Sequence, residues 1–273
     1  MSASKMTNLA ELLMKNPGTV GIDDHKNSQS FNVRRLIVDI GNSRIKSAVF
    51  EQDDVTEIRN FERLEELAFY ASQLSFDACL ISSVNHDDEQ LKRVLGFEYL
   101  YLTKNTPVPI TNGYESPDTL GVDRKAAVIG ARGRFSFGNL LTIDLGTCIT
   151  FDFLDAQDKY QGGSISPGLT MRFRAMHQQT ARLPLVDLPS LDQIQLIGKH
   201  TKGCMQSGVY HGIRFEIEGY VEALKQQHQD LKVIICGGDS IYFETLTKDH
   251  IFVIPNLVLY GLDRILTYNV NKK

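Results

Sequence analysis

Two stretches of the chain share one pattern, in which an apolar run ends in aspartate, a short glycine turn follows, and a second apolar run begins. The first stretch is Leu36 to Phe50, LIVDIGNSRIKSAVF, and the second is Leu140 to Phe153, LLTIDLGTCITFDF. Apolar runs joined by a tight glycine turn predict a β-hairpin. Each turn sets a hydroxyl residue, Ser43 or Thr147, beside backbone N–H groups, which suits a bound phosphate. A single turn of this kind is more often an ordinary exposed loop, but the repetition predicts two related halves that share one polyphosphate.

Between and after the hairpins, segments with helical periodicity alternate with short apolar segments, and the first half has the predicted order β-β-α-β. The predicted elements of the first half are a helix over Glu62 to Leu74, a strand over Ala78 to Ser82, a helix capped by Asp87 that stops at Gly96, a strand over Glu98 to Leu102, a loop over Pro107 to Pro117 and a helix over Thr119 to Phe135. Those of the second half are a strand over Tyr160 to Ile165, a helix over Leu169 to His177, a helix over Lys199 to Lys225, a strand over Lys232 to Cys236, an apolar segment over Phe252 to Ile254 and a helix over Leu257 to Leu266.

Length and composition indicate two domains and an N-terminal appendage. The chain has 273 residues, of which 42% are hydrophobic, enough for two domains of ordinary size. We expect these domains at 34–138 and 139–273, with the last helix packing back toward the first domain. Asn8 to Met14 could form a short helix, but Gly21 to Ser30 is polar with little periodicity. We therefore expect residues 1–33 to be a disordered tail or a leader; a natural regulatory extension is the alternative.

Charge, apolar length and cysteine spacing exclude several classes of function. The 29 basic residues against 33 acidic ones give a net charge of −4. The chain has no basic block of the kind that binds a nucleic-acid backbone, so we do not expect nucleic acid as its main partner. No apolar stretch approaches the length of a membrane span. The 4 cysteines are scattered without a C-x-x-C pair, which argues against a zinc site and against a disulfide scaffold. A cytoplasmic protein with free thiols is expected.

Three further features are candidates for chemistry. Asp123 falls in the first turn of a predicted helix, where a carboxylate simply complements the positive helix end. Beside Arg124, which could hold an anionic substrate, the same carboxylate would suit a general base acting on a hydroxyl. Tyr114 lies on a proline-bracketed loop and is either a packing anchor or a ligand contact. Gly237 and Gly238 follow a predicted strand, where a diglycine lets a flat ligand or a phosphate approach the main chain.

The chain carries five motifs in order: Asp39-Ile40-Gly41-Asn42-Ser43 with Lys46, Gly121-Val122-Asp123-Arg124, Asp144-Leu145-Gly146-Thr147, Gly162-Gly163 through Pro167-Gly168, and Thr180-Ala181-Arg182-Leu183-Pro184. Together these motifs resemble those of type III pantothenate kinases, and the match runs in the family's order from Arg34 to Tyr268. The resemblance implies an α/β fold of two ribonuclease-H-like (actin-like ATPase) domains with a nucleotide cleft between them. Cys148 departs from the alanine expected in the second turn, and residues 1–33 have no family counterpart.

The resemblance also implies a role for each matching residue. Asp123 would be the catalytic base, and Asp144 would bind potassium or ammonium. The implied ATP-binding residues are Asp39, Ile40, Gly41, Asn42, Ser43, Arg44, Ile45, Lys46, Thr147, Gly237 and Gly238. The implied pantothenate-binding residues are Tyr114, Gly121, Val122, Asp123, Arg124 and Thr180, the last reaching the site across a dimer interface.

The function implied is ATP-dependent phosphorylation of pantothenate to 4′-phosphopantothenate, the first step of coenzyme A synthesis, by a cytoplasmic homodimer that also uses a divalent cation such as magnesium. Another small-molecule kinase or a phosphatase on the same fold is one alternative. A nucleotide-binding regulatory protein without turnover is another. The motifs at 121–124 and 180–184 favour pantothenate, because they form the acceptor pocket while the phosphate turns are common to the superfamily.

Overall fold

The structure is a computed structural model that describes residues 33–42 and 44–271. The described residues from Val33 onwards form one compact unit. The predicted N-terminal extension, residues 1–33, lies outside the described residues except for Val33, and Ser43 of the first turn lies outside them as well.

The first sheet has five strands in the order β3-β2-β1-β4-β5. Its strands are β1 Arg34–Ile40, β2 Ile45–Glu51, β3 Asp54–Phe61, β4 Ala78–Ser83 and β5 Leu100–Tyr101. The strands β1, β2 and β3 are antiparallel neighbours, whereas β4 runs parallel to β1 and β5 runs parallel to β4. The predicted first hairpin is confirmed, because Ile40 pairs with Ile45 across β1 and β2.

The second sheet has six strands in the order β11-β10-β7-β8-β9-β6. Its strands are β6 Thr111–Asn112, β7 Leu140–Leu145, β8 Cys148–Leu154, β9 Lys159–Pro167, β10 Lys232–Cys236 and β11 Ile251–Val253. Here β7, β8 and β9 form the antiparallel meander and β10 runs parallel to β7. The predicted second hairpin is confirmed as well, and the two halves share the order of three antiparallel strands followed by a parallel one.

Six α-helices of the described residues cover the sheets. They are α1 Leu64–Ser72, α2 Asp88–Val94, α3 Val122–Arg134, α4 Leu169–Gln179, α5 Thr201–Gln227 and α6 Leu257–Val270. The predicted cap of α2 is confirmed, since the Asp87 side chain accepts a hydrogen bond from the N of Gln90 at 2.8 Å. None of the helices in the described ranges combines the length and the apolar character that crossing a membrane would require.

Four apolar clusters set the layers of the fold. The first sheet packs on α1 and α2 with one face and on α3 and α6 with the other. The second sheet packs on α3 with one face and on α4 and α5 with the other. Both sheets are therefore covered on both faces, which explains why β1, β4, β7 and β10 are nearly continuous apolar runs. The helix α3 lies between the sheets, and every residue from Arg124 to Arg132 is buried.

Two strands depart from the sequence prediction. The pattern does not predict β3, because it is an edge strand with no fully buried residue and its charged side chains hide the alternation. The segment 107–117 is predicted as a loop, but Thr111–Asn112 pairs with β9 and adds a two-residue edge strand to the second sheet. All four cysteines are free thiols; Cys79 and Cys236 are buried, Cys148 is half-buried and Cys204 is exposed.

Candidate functional site

The first turn lies at the end of β1 and is held from two sides. Asp39 pairs with Lys46 across β1 and β2. The N of Gly41 donates a hydrogen bond to the carbonyl of Arg44 at 3.0 Å. The side chain of Asn85, which follows β4, donates to the carbonyl of Gly41 at 3.0 Å. The turn is thus fixed by its own backbone and by the chain that leaves the neighbouring strand.

The second turn lies at the end of β7 and is packed against the start of α4. The N of Gly146 donates to the carbonyl of Cys148 at 3.1 Å, and the N of Gly168 donates to the carbonyl of Thr147 at 3.1 Å. Thr147 itself is exposed. Its side chain therefore projects from a turn whose backbone is anchored on both sides.

Three aspartates interact electrostatically although they come from the first sheet, the second sheet and α3. Burial and then the charge of Asp123 raise the pKa of Asp39 to about 6, while Lys46 opposes the rise. Burial and then the charges of Asp123 and Asp39 raise the pKa of Asp144 to about 7, and Lys46 again opposes the rise. Carboxylates that repel one another electrostatically favour either a compensating positive charge or a protonated member.

Asp123 is the exposed member of this group. It lies in the first turn of α3, and its Oδ1 accepts a hydrogen bond from the N of Arg124 at 2.8 Å. Asp39 and Asp144 are only partly accessible to solvent. An exposed carboxylate close to both hairpin ends is well placed to accept a proton from a hydroxyl that binds there.

The diglycine after β10 lies beside Asp144. Gly237 has a φ of +91°, and a Cβ at this position would overlap the Asp144 carboxylate and the carbonyl of Leu145. That carbonyl also accepts a hydrogen bond from the N of Asp239 at 2.9 Å. Gly238 is exposed, with open space where a Cβ would stand. A ligand can therefore approach the main chain next to Asp144.

Arg124 lies on the other side of the candidate base and is almost fully buried. Its Nε donates to Oδ1 of Asp152 at 2.8 Å, and its Nη2 lies 2.7 Å from the same oxygen. The hydroxyl of Tyr160 donates to this oxygen as well, at 2.6 Å. The guanidinium carbon stands 5.9 Å from the ring centroid of Tyr114. The structure thus brings Tyr114 and Arg124 together.

Sequence reasoning missed Asp152 and Tyr160. Asp152 is a carboxylate inside the apolar strand β8, and its side chain is 1% exposed. A buried charge of this kind requires a cationic or hydrogen-bonding partner, which is the signal that could have identified it. The pattern does not say which cation, because Arg124 is 28 residues away in the chain.

The hydrogen bonds of the Thr180 side chain are local. This residue ends α4 and is exposed, and its hydroxyl donates to the carbonyl of Met176 at 2.8 Å. No hydrogen bond or ion pair found in the described ranges joins Thr180 to the two turns or to Arg124. Across the same ranges, no group of three or more His, Cys, Asp or Glu side chains is arranged to hold a metal ion.

Solved structures share this fold. A conserved Campylobacter jejuni protein assigned to the Baf family of transcriptional activators superimposes with a TM-score of 0.59 at 21% identity, covering 86% of this chain and 99% of that one. A ROK hexokinase from Thermus thermophilus superimposes with a TM-score of 0.51 at 12% identity, covering 88% and 100%. At these identities the likeness concerns the fold alone, which is the two-sheet ribonuclease-H-like architecture of the actin-like ATPases predicted from the sequence.

Proteins related by sequence share a higher identity with this chain than these solved structures do. The family model for type III pantothenate kinase matches residues 35–223. A type III pantothenate kinase from Bacteroides fragilis is 40% identical over 247 residues, which covers 86% of this chain and 98% of that protein. A type III pantothenate kinase from Cytophaga hutchinsonii is 39% identical over 235 residues, covering 86% and 99%. With this extent of match, the chain belongs to the type III pantothenate kinase family.

Proposed function

We propose that this protein transfers the γ-phosphoryl group of ATP to pantothenate, making 4′-phosphopantothenate in the first step of coenzyme A synthesis. The observation that carries the proposal is the exposed carboxylate of Asp123. This carboxylate interacts electrostatically with Asp39 and Asp144, each of which lies near the turn of one hairpin. Membership of the family supplies the identity of the acceptor. The exposed carboxylate beside two glycine turns supports Asp123 as the base.

The two turns and the diglycine form the proposed ATP site. Phosphoryl transfer asks a protein mainly for positioning and for neutralisation of charge. Backbone N–H groups, hydroxyls and the Lys46 ammonium can provide both. The residues proposed to contact ATP are Asp39, Ile40, Gly41, Asn42, Ser43, Arg44, Ile45, Lys46, Thr147, Gly237 and Gly238.

Asp123 acts as the proposed general base. The primary hydroxyl of pantothenate attacks the γ-phosphorus, its proton passes to the Asp123 carboxylate, and the bond from phosphorus to the β–γ bridging oxygen breaks to release ADP. The residues proposed to hold pantothenate are Tyr114, Gly121, Val122, Arg124 and, in a homodimer, Thr180 of the partner subunit.

Asp144 is the proposed ligand of a monovalent cation. Its carboxylate is partly buried, is coupled electrostatically to Asp123 and Asp39 and forms no salt bridge in the described ranges, so a monovalent cation would offset its charge. Potassium or ammonium at this position, and magnesium on the phosphates, would supply positive charge where the transferred group carries negative charge.

We place the protein in the cytoplasm, with domains at 34–138 and 139–273.

The test is a coupled assay of ADP release with pantothenate as acceptor, magnesium present, and potassium either supplied or replaced by sodium. We expect turnover that depends on pantothenate and on potassium. Replacement of Asp123 by asparagine keeps the shape of the side chain but removes the base, so turnover should fall by about 10²–10⁴-fold while ATP binding persists.

The outcomes separate the alternatives. Phosphorylation of a sugar or acetate without any of pantothenate would favour another kinase of the same fold. ATP binding without turnover of any acceptor would favour a regulatory protein. Turnover that Asp123→Asn leaves unchanged would show that the base is a different residue.

A further inference from the structure

We propose that Asp152, assisted by Tyr160, is a positioning residue that fixes the Arg124 guanidinium in the orientation that binds the acceptor. This inference rests on the proposed function, because it concerns how tightly pantothenate is held. It adds two residues that the sequence motifs do not include.

One carboxylate oxygen organises the cluster. Oδ1 of Asp152 accepts hydrogen bonds from the Nε of Arg124 at 2.8 Å and from the hydroxyl of Tyr160 at 2.6 Å, and it lies 2.7 Å from the Nη2 of Arg124. The side chains of Arg124 and Asp152 are 7% and 1% exposed. Bonds between buried ionised groups are short and directional, so this oxygen sets the plane of the guanidinium.

The cluster joins four separate segments of the chain. Arg124 comes from α3, Asp152 from β8 and Tyr160 from β9, while Tyr114 follows β6. The Tyr114 ring lies 6.0 Å from the Tyr160 ring and 5.9 Å from the guanidinium carbon of Arg124. A change in the orientation of Arg124 would therefore also disturb Tyr114, the second proposed contact of the acceptor.

Arg124 is linked to the candidate base through the main chain. Its backbone N donates to Oδ1 of Asp123 at 2.8 Å. Burial raises the pKa of Asp152, and the bonds from Arg124 and Tyr160 oppose that rise. The bonds from Arg124 and Tyr160 thus favour the charged form of the carboxylate that holds the guanidinium, so the loss of either donor weakens the arrangement.

The chain offers a matched control for a merely structural ion pair. Arg35 of β1 and Asp263 of α6 form another buried pair, with Nε 2.6 Å from Oδ1 and side chains 9% and 10% exposed. Neither residue belongs to the candidate site. Replacement of Asp263 by asparagine should therefore cost stability, because it leaves a buried guanidinium without its counter-charge, and should not alter the binding of the acceptor.

The experiment is steady-state kinetics of the full chain and of the variants Asp152→Asn, Tyr160→Phe and Asp263→Asn, with pantothenate and ATP varied separately. For Asp152→Asn we expect a rise of about tenfold or more in the KM for pantothenate and little change in the KM for ATP. For Tyr160→Phe, which removes one neutral hydrogen bond to the carboxylate, we expect a rise of about two- to fivefold. Asp263→Asn should lower the melting temperature and leave both KM values unchanged.

The inference is overturned if Asp152→Asn leaves the KM for pantothenate unchanged, or if it and Asp263→Asn alter the two KM values alike. If Asp152→Asn does not fold, Tyr160→Phe decides, because loss of one hydroxyl is a mild change: an unchanged KM for pantothenate again overturns the inference. Failure of the proposed function has a different signature, since the unsubstituted protein would then not use pantothenate at all.

Discussion

At the scale of single residues, the fold raises the pKa of two carboxyl groups, and this affects stability. Asp39 and Asp144 have pKa values of about 6 and about 7, compared with an ordinary value of 3.8 that we take for the unfolded chain. At a pH between the ordinary value and the raised one, the folded protein keeps protons that the unfolded chain has lost. The unfolded chain therefore binds fewer protons, and the free energy of unfolding decreases as the pH rises through that interval.

This predicts the behaviour of Asp144→Asn in urea denaturation without potassium or nucleotide. Between about pH 4 and about pH 7 the unsubstituted protein should lose stability from this source, and the variant should lose less and be the more stable protein at the upper end. Asp118→Asn is the control, because Asp118 is exposed and Lys104 lowers its pKa, so its titration lies below the interval. Equal pH dependence in Asp144→Asn and the unsubstituted protein would contradict the prediction.

At the scale of elements, α3 and α6 approach each other very closely. A Cβ at Gly261 of α6 would overlap the carbonyl of Ala126 in α3, and one at Gly130 of α3 would overlap the carbonyl of Leu257 in α6. These two helices also form the layer on which the first sheet packs. The separation of the helices is therefore set by glycines at the crossing, and it determines how α3 presents Asp123.

We predict that Gly261→Ala lowers the free energy of unfolding by about 1–3 kcal/mol, because the added methyl group forces the helices apart. The matched control is Gly219→Ala in α5, where a Cβ would meet open space. Alanine there should raise the free energy of unfolding by about 0.5–1 kcal/mol, since glycine is the poorer helix former. Urea denaturation of both variants is the measurement, and two shifts of the same sign would refute the packing argument.

At the scale of the whole molecule, α3 contributes to the cores on both of its sides. Ala126 and Ile129 pack with the first sheet, whereas Val128 and Ala131 pack with the second. Separating the sheets would expose apolar surface on this helix. The compact unit from Val33 onwards should therefore unfold as one cooperative body.

Two buried thiols test this cooperativity. Cys79 lies in the first sheet and Cys236 in the second, with exposures of 3% and 0%. In a urea series followed by pulsed thiol labelling and peptide mass spectrometry, both should lose protection at the same urea concentration. Cys204 is exposed and should react at every concentration. Separate midpoints for Cys79 and Cys236 would mean that the two sheets unfold independently.

The sequence predicts the parts of the fold that depend on local pattern. Both hairpins follow from apolar runs and glycine turns, and the cap at Asp87 follows from side-chain chemistry within four residues. The edge strand β3 does not follow, because a partly exposed strand lacks a clear apolar face. The pairing of Arg124 with Asp152 also does not follow, since it depends on how α3 settles between the sheets. The motif residues locate a candidate site, whereas the contacts that orient them come from the tertiary structure.

The position of Gly237 has a genetic consequence. Every single-base change of a glycine codon that gives another amino acid adds a side chain with a Cβ. At this position that atom would collide with Asp144 and with the second turn, and the φ of +91° would disfavour it even without the collision. Every single-base mutation that replaces Gly237 would therefore displace the Asp144 carboxylate, which is proposed to hold the cation. We expect only synonymous changes to be tolerated at this codon.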